Sequence, residues 1–141
     1  YFSEVNANSK HVLVVTEGLL AYLKPEQVIE LAKDLHAQAR FERWLIDLAG
    51  PGVLEWIQKK WGKSLQAANA PMYFAPGEGE NFFKPYGWEP VEFRDFGEEG
   101  RKLKRMPPMA WLFRLQAALR PGSAEKMKKK WRSGVALLRR A

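Results

Sequence analysis

The sequence contains no cysteine and only two histidines, His11 and His36. Without cysteine, neither a disulfide framework nor a thiolate metal site can form. The two histidines lack the close spacing of metal ligands, so we expect no metal site. No apolar run approaches the roughly 18 residues that cross a bilayer, and the sequence opens at Tyr1 without a basic and apolar leader. We therefore predict a cytoplasmic protein without a membrane partner.

What the sequence has in abundance is apolar and aromatic residues. Hydrophobic residues make up 46% of the chain and aromatic residues 13%, including 6 tryptophans. Tryptophan buries a large area per residue, and 141 residues is close to the usual size of a domain. We predict one folded domain with a substantial hydrophobic core.

Charge is distributed unevenly along the chain. Residues 1–97 carry a net charge of −3 and residues 98–141 a net charge of +10. A strongly basic segment can bind nucleic acid or another anionic partner. Because no nucleic-acid-reading motif accompanies it, we prefer a second interpretation, in which one exposed helix face carries Lys126, Lys128, Lys129 and Lys130.

The segment HVLVVTEGLLAYL, residues 11–23, is the most informative part of the sequence. The continuous apolar run Val12–Val15 is typical of a strand covered on both faces, as in the parallel sheets of α/β proteins. The predicted strand runs from Val12 to Thr16, and Glu17 follows directly at its carboxyl end. Ligands of open α/β sheets bind beyond these strand ends. The segment thus predicts both an α/β fold and a binding site.

A second strand follows after one helix. Pro25 suits the first helical turn, and apolar residues recur at helical spacing as far as Ala39. Residues 43–48 form a second apolar run, in which Asp47 is the acidic residue. A strand–helix–strand unit makes the two strands parallel, so Glu17 and Asp47 should face the same edge of the sheet.

The remaining elements are predicted from similar patterns. The Pro- and Gly-rich connection between residues 66 and 79 carries Tyr73 and Phe74, which either form a lid over the strand ends or simply pack. We expect helices at 53–65, 81–86 and 109–119, and a further helix that begins after an N-cap at Ser123 and runs through 130. We expect strands at 88–96 and 134–140, of which 88–96 should lie near an edge of the sheet.

Four segments resemble one known family. VVTEGLLAYL looks like a signature of the leucine carboxyl methyltransferase-like group of S-adenosylmethionine-dependent methyltransferases, and LKPEQV, YGWEPVEF and SGVALLRR are similar to later parts of that family. The resemblance implies an α/β fold that is the carboxyl-terminal half of a Rossmann-like methyltransferase domain, spanning residues 1–141. Its sheet would be mostly parallel, with an antiparallel last strand inserted between the two strands before it.

The resemblance also implies roles for single residues. Glu17 and Gly18 would bind the donor S-adenosylmethionine, and Tyr22 would act at the methyl acceptor unless it merely packs beneath the next helix. From its place in the second strand, Asp47 is either a catalytic base or a cap for the following turn. The family's glycine-rich loop and ribose-binding acid belong to its first half, and Gly50-Pro51-Gly52 does not match that loop.

The leading prediction is therefore an O-methyltransferase acting on a small-molecule acceptor with a hydroxyl or carboxylate group. This chain alone should be inactive and bind the donor weakly or not at all, and its unpaired first strand should associate with an amino-terminal half or with a second copy. Three alternatives remain open. They are a non-catalytic basic module that binds nucleic acid or an anionic partner through residues 98–141, a hydrolase using Glu17 and Asp47, and a half-domain that only dimerises.

Overall fold

A computed structural model of the protein describes residues 1–103 and 124–141. The predicted helix at 109–119 lies outside the described residues, and so does Ser123, the predicted N-cap of the next helix. None of the described helices is both long enough and apolar enough to span a bilayer. The helices are α1 (Phe2–Asn8), α2 (Pro25–His36), α3 (Pro51–Ala67), α4 (Phe96–Lys102) and α5 (Ala124–Trp131), with 3-10 helices at Leu20–Tyr22 and Gly79–Tyr86. The strands are β1 (Val12–Thr16), β2 (Phe41–Ala49), β3 (Trp88–Asp95) and β4 (Ser133–Arg140).

The strands form one mixed sheet in the order β1-β2-β4-β3. β1 and β2 are parallel, whereas β4 is antiparallel to both β2 and β3. The expected α/β class and the inserted antiparallel last strand are both found. Three of the four strands run in the same direction, but only one of the three neighbouring pairs is parallel, so the sheet is mixed. The reason is that β4 separates β2 from β3, which point in the same direction but are not neighbours.

The hydrophobic core lies on one face of this sheet. Alternate residues of β2 and β4 point into it, and α2 and the 3-10 helix Gly79–Tyr86 pack over them. Side chains at the helical spacing that predicted α2 are the ones buried there. The buried apolar residues are Leu20, Val28, Ala32, Leu35, Phe41, Trp44, Ile46, Leu48, Phe74, Phe83, Trp88, Ala136 and Leu138.

Two tryptophans occupy the centre of the core. Trp44 and Trp88 are fully buried, with ring centroids 5.6 Å apart, and Trp44 also packs edge-on against Phe83 at 5.2 Å. Both indole N–H groups are satisfied, as buried polar groups require. The indole of Trp44 donates to the Thr16 hydroxyl at 3.1 Å, and that of Trp88 donates to the Ala32 carbonyl at 2.9 Å. The two rings thereby link β1 and α2 to the middle of the sheet.

The second face of β1 is exposed, which contradicts the expectation that both faces are covered. Leu13 and Val15 point to this face and are 55% and 56% exposed. Val12 and Val14 point the other way and pack against the core. Side chains of α1, α2 and both 3-10 helices contribute to the core on the other face of the sheet. The apolar run in β1 therefore leaves half of its side chains in contact with solvent.

His36 lies at the end of α2 against Trp88, with ring centroids 5.9 Å apart. Its Nε2 atom is buried and has no hydrogen-bond partner among the described residues. Arg140 donates to the carbonyl of His36 and, at 2.9 Å, to that of Gln38. Burial, followed by the repulsion of the Arg140 guanidinium, lowers the pKa of His36 below its usual value. A lowered pKa favours the neutral form of the imidazole, whose ring packs against Trp88.

This histidine should make the protein less stable in mild acid. In the unfolded chain His36 takes up a proton near pH 6.5, about its usual pKa, whereas the folded chain resists protonation. Below about pH 6.5 the unfolded state binds more protons, so the free energy of unfolding should fall as the pH is lowered. Urea denaturation of the wild type and of His36→Gln at about pH 7.5 and pH 5.5 tests this. If the free energy of unfolding of His36→Gln fell as much as that of the wild type between these two pH values, the prediction would be contradicted.

Candidate functional site

The turn that follows β1 brings three of the predicted site residues together. β1 ends at Thr16, and Glu17 follows with an exposed side chain. Gly18 has a φ of +62°, a conformation that favours glycine, and its N–H donates to the Asp47 carboxylate at 3.1 Å. The sequence therefore placed Glu17, Gly18 and Asp47 correctly at one edge of the sheet. At the least, Asp47 fixes the turn that carries Glu17.

The backbone of this turn is accessible from outside. A Cβ atom added at Gly18 would meet nothing within 4 Å, so a ligand can approach the backbone there. The exposed Glu17 carboxylate can face a cationic group of the ligand, such as the sulfonium of S-adenosylmethionine. Glu17 and the Gly18 backbone are the groups of this turn that a cationic ligand could contact.

Tyr22 and Tyr73 lie on two segments that are hydrogen-bonded to each other. The N–H groups of Tyr73 and Phe74 donate to the carbonyl of Ala21, at 2.7 and 3.2 Å. The Gln58 side chain on α3 donates to the Met72 carbonyl at 3.0 Å and holds the same loop. Both tyrosine side chains are exposed. The predicted lid segment therefore lies against the turn after β1.

Phe74 is a core residue. Its side chain is 4% exposed and its ring packs edge-on against Phe82 and Phe83, at 5.0 and 6.2 Å between centroids. A ring held in this way anchors the loop and is not available to a substrate. The prediction of an aromatic lid therefore rests on Tyr73.

A second group of residues at this edge was missed by the sequence analysis. Glu80 is a buried carboxylate, and one guanidinium nitrogen of Arg132, Nη1, lies 2.9 Å and 3.0 Å from its two oxygens. The guanidinium carbon of Arg132 lies 3.7 Å from the centroid of the Phe93 ring. Glu80 and Arg132 are 52 residues apart in the chain, and neither stands in a recognisable motif. Only the fold could reveal this ion pair.

Arg132 borders a shallow cleft at the carboxyl end of β2, which we call the Arg132 cleft. Gly50 lines this cleft, and both Gly50 and Gly52 lie close to Lys130 at the end of α5. A Cβ atom on Gly50 would lie 2.5 Å from the carbonyl oxygen of Lys130, and the Gly50 N–H donates to the Arg132 carbonyl at 2.7 Å. These glycines allow the turn after β2 to pack closely against the end of α5. The cleft is lined by Leu48, Ala49, Gly50, Pro76, Gly77, Glu78, Gly79, Glu80, Phe93, Lys129 and Arg132.

The lysines described on α5 are exposed, and some of them are paired with acids. The Nζ atom of Lys128 lies 3.3 Å from a carboxylate oxygen of Glu98, and the Nζ atom of Lys130 lies 2.7 Å from a carboxylate oxygen of Glu55. Exposed pairs of this kind contribute little to stability, but they reduce the positive charge available to a partner. Within residues 1–103 and 124–141, no three carboxylates or histidines are grouped closely enough to hold a metal ion.

No protein-family model matches the sequence, and no curated protein matches it significantly. The resemblance to leucine carboxyl methyltransferase-like proteins therefore rests on the four quoted segments and their order. The geometry described above has to carry any functional proposal together with those segments.

Proposed function

We propose that residues 1–141 are the carboxyl-terminal part of an S-adenosylmethionine-dependent O-methyltransferase with a Rossmann-like domain. The observation that carries the proposal is the position of β4, antiparallel and inserted between β2 and β3. The methyltransferase resemblance implies this arrangement, and simple βαβ continuation does not. The acidic turn at the end of β1 adds support, since ligands of open α/β sheets bind at that edge.

The proposed chemistry assigns distinct tasks to the residues at this edge. When bound, S-adenosylmethionine would supply the methyl group: its S–CH3 bond would break as the acceptor oxygen bonds to the methyl carbon, and S-adenosylhomocysteine would leave. Glu17 faces the cationic donor, and Gly18 lets the donor approach the backbone. Tyr22 and Tyr73 line the acceptor side, where Tyr22 can orient the acceptor oxygen by a hydrogen bond. Asp47 holds the Glu17 turn, and its carboxylate would take the proton of a hydroxyl acceptor.

The exposed part of β1 indicates where the rest of the domain would bind. Leu13 and Val15 leave an apolar surface on the second face, and β1 is an edge strand whose outer side has no partner among the described residues. A long apolar edge favours pairing with another strand. We propose that an amino-terminal half supplies this strand and covers Leu13 and Val15. A second copy of the chain is the other candidate.

Donor binding should require the residues encoded upstream of Tyr1. The chain from Tyr1 to Ala141 should bind S-adenosylhomocysteine weakly or not at all, because the proposed donor site is incomplete. A protein that extends through the upstream coding sequence should bind it at micromolar concentration. Glu17→Gln in that longer protein should weaken binding by about tenfold, the loss of one favourable charge contact. Isothermal titration calorimetry measures all three affinities.

The control variant is Glu26→Gln, which removes an exposed acid from the first turn of α2 without touching the Glu17 turn. It should leave the affinity for S-adenosylhomocysteine unchanged. The absence of binding in the longer protein would overturn the proposed function. So would an upstream sequence without a glycine-rich turn between a strand and a helix.

The alternative function has weaker support. In it, the protein is a basic module that binds nucleic acid or another anionic partner through residues 98–141. It is favoured by the exposed lysines on α5, and it is weakened by the pairing of Lys128 and Lys130 with acids. Such binding would decrease steeply with salt and survive Glu17→Ala. Donor binding by the proposed methyltransferase would respond to that substitution instead.

A further inference from the structure

We propose that the Arg132 cleft binds a carboxylate group of the methyl acceptor. This inference rests on the proposed function, which left the class of acceptor open. It assigns a binding role to Arg132 and Lys129, which lie on the opposite side of β2 from the Glu17 turn.

The Arg132 guanidinium is held in place before any ligand arrives. One of its nitrogens, Nη1, is bound by both oxygens of Glu80, and its flat face rests on the Phe93 ring. The Arg132 side chain nevertheless remains 36% exposed. An arginine carries five N–H donors, and among residues 1–103 and 124–141 the Nε and Nη2 groups of Arg132 have no hydrogen-bond partner, so that side of the fork can bind a ligand. A fixed planar fork is the geometry that binds a carboxylate through two parallel hydrogen bonds.

The charges around the cleft agree with an anionic ligand group of modest affinity. Lys129 lines the cleft and is exposed, and none of the ion pairs described for α5 involves it. Glu80 is already neutralised by Arg132. Glu78 also lines the cleft and opposes an anion. The two cations and the two acids that line the cleft cancel, so a single carboxylate would be held by its direct contacts with Arg132 and Lys129 and not by a net positive charge.

The position of the cleft restricts the shape of the acceptor. β4 lies two strands away from β1, which corresponds to roughly 10 Å across the sheet. Glu17 and Arg132 both lie at the edge where β1 and β2 end and β4 begins. An acceptor that spans them would place its reacting oxygen near Tyr22 and a separate carboxylate in the Arg132 cleft. The proposed substrate class is therefore an elongated hydroxy acid or dicarboxylic acid.

The 141-residue chain itself can test the cleft, because carboxylate binding requires no donor. Propanoate is the probe, propanamide is its uncharged counterpart, and the ionic strength is held constant with sodium chloride. Nuclear magnetic resonance should show saturable shifts of the Arg132 Nε–H and the Gly50 amide signals with propanoate, with a millimolar dissociation constant, and no such shifts with propanamide.

Substitutions in the cleft should change the affinity in opposite directions. Lys129→Gln should weaken propanoate binding about threefold and Glu78→Gln should strengthen it by a similar factor, since each removes one nearby charge. Lys128→Gln changes the net charge by the same amount as Lys129→Gln, but Lys128 pairs with Glu98 and does not line the cleft, so it should have no effect. These exposed positions avoid the risk that Arg132→Lys unfolds the protein.

Two results would overturn the inference. One is the absence of saturable shifts at Arg132 and Gly50. The other is an equal response to propanoate and chloride, or equal effects of Lys128→Gln and Lys129→Gln, which would indicate nonspecific charge attraction. Neither result affects the S-adenosylhomocysteine experiment, so a failure of the cleft and a failure of the proposed methyltransferase can be told apart.

Discussion

Gly134→Ala is expected to cost about 3 kcal/mol or more of stability and to break the pairing of β4 with β3. Gly134 pairs with Leu48 of β2 on one side and Asp95 of β3 on the other. A Cβ atom at this position would lie 2.1 Å from the carbonyl oxygen of Arg94 and 2.9 Å from the Phe93 ring. Backbone on a neighbouring strand cannot move aside as a flexible side chain can. The strand must therefore shift or separate.

Gly62→Ala is the matched control for this substitution. Gly62 lies within α3, and a Cβ atom there would meet nothing within 4 Å. Alanine in a helix interior is more favourable than glycine by about 0.5–1 kcal/mol, so this variant should be slightly more stable than the wild type. Urea denaturation followed by circular dichroism measures both effects. Equal stabilities for the two variants would show that β4 is not packed between β2 and β3 as described.

Trp44→Ala is expected to destabilise the protein by about 3–5 kcal/mol, the usual cost of removing a large buried aromatic side chain. Trp44 is fully buried, contacts Phe83 and Trp88, and donates a hydrogen bond to Thr16. Its removal leaves a cavity where β1, β2 and the 3-10 helix Gly79–Tyr86 meet. Domains are commonly stable by only about 5–15 kcal/mol, so a large fraction of the molecules could unfold.

Trp131→Ala is the control for this prediction, because Trp131 is 44% exposed at the end of α5. It should change the free energy of unfolding by about 0.5 kcal/mol or less. Thermal unfolding monitored by circular dichroism compares the two variants without depending on the fluorescence of the remaining tryptophans. If the Trp44→Ala and Trp131→Ala proteins unfolded at the same temperature, the core would be centred elsewhere.

Sequence reasoning predicted the elements well where a local pattern is decisive. The bounds of β1 and the first residue of α2 were predicted correctly, because an apolar run and a proline at the first turn are strong local signals. The place of β4 came from the family resemblance, since no local pattern indicates strand order. The burial of β1 was predicted wrongly. An apolar run shows that side chains avoid water, but it does not show that this chain supplies both covering layers.

The candidate site could be predicted only in part, for a related reason. The parallel pair of β1 and β2 brings together Glu17, Gly18 and Asp47, and a parallel pair follows from the strand–helix–strand order. Phe74 and Tyr73 are neighbours with opposite environments, which composition cannot separate. The contact of Glu80 with Arg132 joins a 3-10 helix to the start of β4. Such a pairing depends on the complete topology, so no sequence window contains it.

The order of the strands also constrains when the sheet can form during protein synthesis. β3 is translated before β4, yet in the finished sheet its neighbour is β4 and not β2. While the nascent chain grows on the ribosome, β1, α2 and β2 can already assemble, whereas β3 has to wait. Pairings between distant parts of a chain form slowly. Trp88, which begins β3, can already pack against α2 and Trp44, but β3 gains its strand partner only after β4 has left the exit tunnel.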